Sequence, residues 1–135
     1  MLFYIDTCIW IDYLEDRKDK FRPLGDWAHE LLQEIVSSKS NICFSEMIEE
    51  ELLNRYTPEQ ITRAIEPFKS IIKYVKISRN NILEARAISE KFCIHTSDAI
   101  HIAIAKENDA IMITRDKHFD NARTIVEVVK PEDII

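Results

Sequence analysis

The chain has 135 residues, 46% of them hydrophobic and 31% charged, and a net charge of -6. That length suits one domain with a proper core, and the composition is ordinary for a globular protein rather than a disordered or fibrous one. No apolar run approaches the roughly 20 residues that cross a bilayer, and the acidic balance lacks the basic signature of a non-specific nucleic-acid binder.

The first apolar run, residues 2–5, predicts a buried strand that ends at Asp6. A helix follows over 8–15, then a charge-rich loop over 16–23 and a helix over 26–37. A second strand is expected at 41–44, with helices over 45–55 and 58–70 behind it. Thr57 before Pro58 is a helix start, an N-cap followed by proline at the first helical position. A strand at 74–77 leads to helices over 80–92 and 97–107, with Thr96 and Ser97 as the N-cap setting of the latter. Residues 99–105 are apolar almost all round, so this helix is expected to be the most buried. Strands at 110–114 and 125–129 close the chain, joined by a loop over 116–123.

Gly25 is the only glycine. Two-residue hairpins favour glycine, so its scarcity points to helices and crossovers. Strands that alternate with helices predict an α/β fold, a central parallel sheet of five strands with helices on both faces. No linker or repeat divides residues 1–135, so a single domain is expected. Cys8, Cys43 and Cys93 are far apart and flanked by apolar residues, and they read as reduced core thiols. The chain opens directly on a strand-like run, without a basic region and cleavage site, so a cytoplasmic protein is expected.

Acids recur where the strands end. Asp6 follows the first strand, Asp98 sits in the first turn of the most apolar helix, and Asp116 follows the strand 110–114 with Arg115 between. The carboxyl edge of a parallel sheet is where such folds bind ligands. A fourth acid comes from Glu46, Glu49, Glu50 and Glu51. At about 100° per residue, Glu51 projects between Met47 and Ile48, inside the apolar arc of its helix. An acid there is costly unless paired or bound to a cation. The other three glutamates fit a solvated face. Taken alone, Asp6 reads equally well as an N-cap, Asp98 as a helix-dipole partner and Asp116 as a turn residue. Gathered together they repel, and a divalent cation, Mg²⁺ or Mn²⁺, resolves the repulsion. Asp12, Asp109 and Asp120 read as surface acids. His95 and His101 flank Asp98 and read as core or surface rather than ligand.

The segments LFYIDTCIWIDYL, ICFSEMIEEELLNRY, HTSDAIHIAIAKENDAIMITRD and TIVEVVKPEDII together resemble the PIN domain. Within that superfamily they resemble the toxin ribonucleases of VapBC-type toxin–antitoxin pairs. The similarity runs in order along the whole chain, and its most specific part is the Asp, the Ala-rich apolar helix and the strand ending in Thr-Arg-Asp. The resemblance implies a three-layer α/β/α sandwich and an Mg²⁺- or Mn²⁺-dependent endoribonuclease. It places the acidic site on Asp6, Glu51, Asp98 and Asp116, supported by Thr7 and Thr114. It also implies an RNA substrate, a homodimer, and a cognate antitoxin that inserts a segment near the site.

Asp6, Asp98 and Asp116 are the expected metal ligands, with Glu51 a ligand or the group that orients water. Arg115, Lys117 and Lys91 are candidate phosphate contacts, chosen by proximity. Three alternatives remain open. A receiver-type phosphoacceptor domain wants paired acids after the first strand, and a haloacid-dehalogenase-type phosphatase wants Asp where Cys8 stands. A PIN-like module without catalysis would only bind a partner. Apolar residues at 27–35 and 61–72 (Trp27, Leu31, Leu32, Ile35; Ile61, Ile65, Phe68, Ile72) read either as core or, where one small sheet leaves them uncovered, as a two-fold homodimer interface.

Overall fold

The computed structural model describes residues 1–135. Its elements are β1 (Leu2–Ile5), α1 (Thr7–Glu15), α2 (Leu24–Ser37), β2 (Asn41–Ser45), α3 (Glu46–Leu53), α4 (Pro58–Ile65), β3 (Ile72–Val75), α5 (Arg79–Phe92), α6 (Thr96–Glu107), β4 (Ile111–Ile113) and β5 (Val128–Val129). Short 3-10 segments cover Glu66–Ile71, Lys117–Ala122 and Pro131–Asp133.

All five strands are parallel, in the order β3-β2-β1-β4-β5. The central strands are apolar runs buried on both faces, as a covered parallel sheet requires: Phe3, Tyr4 and Ile5 in β1, Ile42, Cys43 and Phe44 in β2. Right-handed crossovers decide where the helices lie. The chain steps outward from β1 to β2 to β3, which keeps α1 to α4 on one face. It then crosses back past β1 to β4, which puts α5 and α6 on the other. The side chains agree. Trp10 of α1 packs edge-on against Phe44 of β2, while the Tyr4 ring of β1 meets His101 of α6. The result is the α/β/α sandwich. The strand order reverses between β1 and β4, so the crevice at their carboxyl ends is the topological switch point.

Several boundaries differ from the sequence reading, each for a local reason. The helix expected over 58–70 ends at Ile65 and continues as a 3-10 turn, because Pro67 cannot supply the next helical hydrogen bond. β3 begins two residues early, at Ile72, and Ile77 instead donates its N–H to Glu46 Oε1 at 2.9 Å. β5 shrinks to Val128–Val129 because the Ile125 and Val126 N–H groups turn back to the Ala122 carbonyl. Thr57 caps α4 as expected, in a full capping box with Gln60. The N-cap of α6 is His95 rather than Thr96 or Ser97: its side chain accepts from the Ser97 N–H. The α6 helix itself is buried through Ala99 and from His101 to Ala105. Cys43 is buried, Cys8 partly so, and Cys93 is exposed, which corrects the reading of three core thiols.

Burial and hydrogen bonding decide two further readings. Leu31, Leu32, Ile35, Ile61 and Phe68 are core residues, at most 4% exposed. The apolar surplus that suggested a dimer face is therefore largely consumed within one chain. Glu46 and Glu49 are not freely solvated either, since Glu49 accepts from Tyr74 Oη at 3.2 Å and Glu46 holds the Ile77 N–H. No helix is long and apolar enough to cross a membrane.

Gly25 marks a close approach between the start of α2 and the end of α1. A Cβ placed there would lie 2.5 Å from Asp16 Cα and 2.8 Å from its carbonyl carbon, both backbone atoms. Gly25→Ala is expected to destabilise the chain by about 1–3 kcal/mol, the scale of forced overpacking. Urea titration checks this, and a midpoint equal to wild type would refute the close approach.

Candidate active site

The site grows out of the last residue of each central strand. Asp6 follows β1, is 6% exposed, and caps α1: its Oδ1 accepts the Thr7 N–H at 2.8 Å. Its Oδ2 accepts from Thr114 Oγ1 at 2.7 Å and from the Cys8 thiol at 3.3 Å. Thr114 follows β4, and its hydroxyl in turn accepts the Asp116 N–H at 3.0 Å. One threonine therefore ties the acid of β1 to the acid of β4. Burial, reinforced by Asp6, pushes the Cys8 thiol far up, so it stays protonated and serves as a neutral donor.

Glu51 reaches the same place from α3. Its Oε1 accepts from Thr7 Oγ1 at 2.7 Å and lies 2.6 Å from His101 Nε2. His101 is 1% exposed, and its Nδ1 faces Tyr4 Oη at 2.5 Å. Tyr4 Oη is 2.7 Å from Ser45 Oγ, which caps α3 by accepting the Ile48 N–H. A buried polar chain thus runs Ser45, Tyr4, His101, Glu51, Thr7. Burial alone would lower the His101 pKa, but the Glu51 hydrogen bond and the charges of Asp6, Glu51 and Asp98 hold it above the ordinary value. Burial likewise works against Glu51 as a carboxylate, yet the bonds from His101 and Thr7 keep its pKa below the ordinary value.

Asp98 and Asp116 form the second half. Asp116 caps the 3-10 segment by accepting the His118 N–H at 2.9 Å, and the exposed His118 ring stands 3.2 Å from Asp116 and 4.0 Å from Asp98. Two groups of donors lie close enough to hold an ion: Asp6, Glu51 and His101, and Asp98, Asp116 and His118. The Asp98 carboxyl pKa is raised, first by burial and then by the charges of Asp116 and Asp6. Mutual repulsion is the cost of such a gathering, and a hard cation relieves it. Carboxylate oxygens are the donors that Mg²⁺ or Mn²⁺ takes, and each group supplies two acids, Asp6 with Glu51 and Asp98 with Asp116.

An acid whose pKa rises on folding favours the folded state below that pKa and costs stability as pH climbs through it. Asp98→Asn is accordingly expected to raise the melting temperature in EDTA at pH 7 by a few degrees, and to weaken the rise that Mg²⁺ produces in wild type. A variant that melts lower in EDTA would contradict the repulsion.

Of the four acids expected from sequence, Asp6 and Glu51 come together with His101, and Asp98 and Asp116 with His118; Thr7 bonds Glu51, and Thr114 links Asp6 to the Asp116 backbone. Asp12 does not belong to the surface: it is 3% exposed, 3.6 Å from Arg115 Nε and 4.0 Å from Arg17. Asp109 and Asp120 are exposed as expected. Arg115 is not free for phosphate. It pairs with Asp12 and with Glu132 at 2.8 Å, and its guanidinium lies 5.3 Å over the Trp27 ring. Lys91 lines a separate surface cleft with Lys106, Thr124 and Ile125. Lys117 is exposed beside Asp116. Sequence reasoning missed His101 as the partner of Glu51. The available signal was its spacing, three residues after Asp98 and so on the same helical face. It also missed His118, two residues beyond Asp116.

The PIN domain family profile matches residues 3–125. This chain belongs to the PIN domain family, which closes the receiver-type and dehalogenase-type alternatives. No curated protein matches the sequence. Among solved structures, a toxin–antitoxin complex from Klebsiella pneumoniae superposes with a TM-score of 0.71 at 22% identity, covering 96% of this chain and 97% of that one. VapBC2 from Rickettsia felis, bound to a DNA fragment from its promoter, gives 0.70 at 16% identity, covering 96% and 98%. VapBC-1 from nontypeable Haemophilus influenzae gives 0.68 at 20% identity, covering 98% and 99%. At these identities the likeness is one of fold.

Proposed function

We propose that this PIN domain is a Mg²⁺- or Mn²⁺-dependent endoribonuclease and the toxin of a toxin–antitoxin pair. The observation that supports the chemistry is the pair of acidic groups, Asp6 and Glu51 with His101 and Asp98 and Asp116 with His118, with the Asp98 carboxyl raised by burial and then by the charges of Asp116 and Asp6. Asp6, Asp98 and Asp116 would hold the cation. When bound, it would lower the pKa of a water and offset negative charge developing on the phosphodiester. Glu51 keeps Oε2 open while His101 and Thr7 fix Oε1. That leaves one oxygen aimed to orient a water in line with the scissile bond. His101 acts by holding Glu51 ionised and still. Thr114 fixes the spacing of Asp6 from Asp116. Cys8 stays neutral and adds no charge to a crowded site.

The toxin reading draws on the resemblance of the sequence and on neighbours that are toxin–antitoxin complexes. A small antitoxin and a two-fold homodimer follow from the same reading, as does a cytoplasmic site of action. Fluorescently labelled single-stranded RNA tests the enzyme directly. Cleavage is expected in Mg²⁺ and none in EDTA, and activity that survives EDTA would overturn the metal dependence. Sedimentation with and without the product of the adjacent gene tests the partners. A strict monomer that ignores that product would overturn the toxin reading and leave the nuclease chemistry standing.

A further inference from the structure

With Arg115 engaged by Asp12 and Glu132, the exposed Lys117 beside Asp116 is left to receive substrate at an acidic site in an acidic chain. The loop between α1 and α2 carries further cations. Residues 17–22 read Arg-Lys-Asp-Lys-Phe-Arg. Phe21 is 99% exposed, the most exposed large apolar side chain of the protein. Single exposed hydrophobes are common. This one is displayed by a built turn. Asp19 N–H donates to the Arg22 carbonyl at 3.0 Å and Arg22 N–H returns to the Asp19 carbonyl at 2.7 Å. The Arg22 guanidinium pairs with the Asp19 carboxylate across the turn. Lys20 takes a φ of 50°, a left-handed conformation that a side chain makes costly.

The base of the loop is equally fixed. Gly25 N–H donates to the Arg17 carbonyl at 2.8 Å, and Arg17 N–H to the Asp12 carbonyl at 3.2 Å. The Arg17 side chain approaches Asp12, the acid paired with Arg115, and Arg115 directly precedes Asp116. The turn is thereby anchored to the rim of the acidic edge. Arg17 and Arg22 spend their charge on Asp12, Glu15 and Asp19. Lys18 and Lys20 are exposed and form no ion pair. A hydrogen-bonded turn thus offers one bare aromatic ring beside two exposed lysines.

We propose that the Asp19–Arg22 turn is a single-stranded RNA contact, in which Phe21 stacks on a base while Lys18 and Lys20 meet the flanking phosphates. The assignment rests on the nuclease reading and names where the substrate strand runs. Stacking on an aromatic ring tolerates any base. Ammonium groups on phosphates add a salt-dependent term without sequence preference.

The test uses the full chain in an Asp6→Asn background, which holds RNA uncut, with a fluorescein-labelled 12-nucleotide single-stranded RNA read by anisotropy. Phe21→Ala is expected to raise Kd by about 10-fold, within the range of one lost stacked base. Phe21→Leu keeps apolar bulk and is expected to weaken binding similarly, while Phe21→Trp retains it. Lys18→Gln with Lys20→Gln is expected to flatten the dependence of log Kd on log salt by about 1.4. Thermal melts of each variant show that the fold is kept. If Phe21→Ala and Phe21→Leu bind like the parent while the wild-type enzyme cuts RNA, the turn assignment falls and the nuclease reading stays. If the parent does not bind RNA and wild type does not cut it, the nuclease reading falls and takes this proposal with it. Loss of self-association in Phe21→Ala, with RNA binding unchanged, would make the turn a protein contact and overturn the proposal.

Discussion

Asp6→Asn is expected to lower RNA cleavage by about 10³-fold, the scale of losing one preorganised electrostatic contact to a transition state, and to leave the fold intact. The two halves of this expectation come from different atoms. Asn caps a helix as well as Asp, so its amide oxygen keeps the Thr7 N–H. The amide nitrogen then faces Thr114 Oγ1, which accepts in place of donating. The charge, however, is gone. Under the proposed mechanism a cation would lose a ligand, while Asp98 loses one of the neighbours that raise it. Cleavage assays with the purified variant, beside a thermal melt in EDTA, separate the effects. Undiminished cleavage would remove Asp6 from the chemistry. Lost cleavage with a collapsed melt would assign it a structural role only.

The architecture was legible because each strand of the centre is a short apolar run and each helix carries a periodic face. Topology then follows from handedness and from the absence of glycine for tight hairpins. What the sequence left unresolved was settled by pairs distant along the chain. Ile125 and Val126 have strand chemistry, but the Ala122 carbonyl captures their N–H groups. Asp12 looks like any polar residue on a helix, and only the return of the chain at Arg115, more than a hundred residues later, makes it buried. Glu51 could be chosen from four glutamates because its helical angle is a local property. Its partner His101 shares a helical face with Asp98, but its bond to Glu51 spans 50 positions and is invisible to local spacing. The acids were visible as a pattern at strand ends, whereas the groups that orient them come from elsewhere in the fold.

Arg115→Met is expected to destabilise the protein by about 3 kcal/mol, the lower end for breaking a buried pair from one side. Asp12 is 3% exposed, and burial raises its carboxyl pKa even with Arg115 and Arg17 opposing the rise. Without Arg115 the carboxylate must either stay charged in the interior or take up a proton. An acid raised in this way loses stability as pH climbs through its folded pKa, so the deficit of the variant is expected to be larger at pH 8 than at pH 5. Met fills the volume beside Trp27 but loses the guanidinium that now lies 5.3 Å over its ring. Asp12→Asn alone should cost less, and the double variant should recover part of the loss, because it removes both charges of the Asp12–Arg115 pair and leaves only Glu132 without its partner. Cleavage is expected to follow a different pattern. Arg115 lies between Thr114 and Asp116, and its bonds to α1 and to the Pro131–Asp133 turn hold that backbone in place. Restoring stability with the second substitution should therefore leave activity low. Chemical denaturation at the two pH values, set beside cleavage rates of the three variants, distinguishes the outcomes: full recovery of cleavage in the double variant would mean that Arg115 neutralises Asp12 and does nothing to position Asp116.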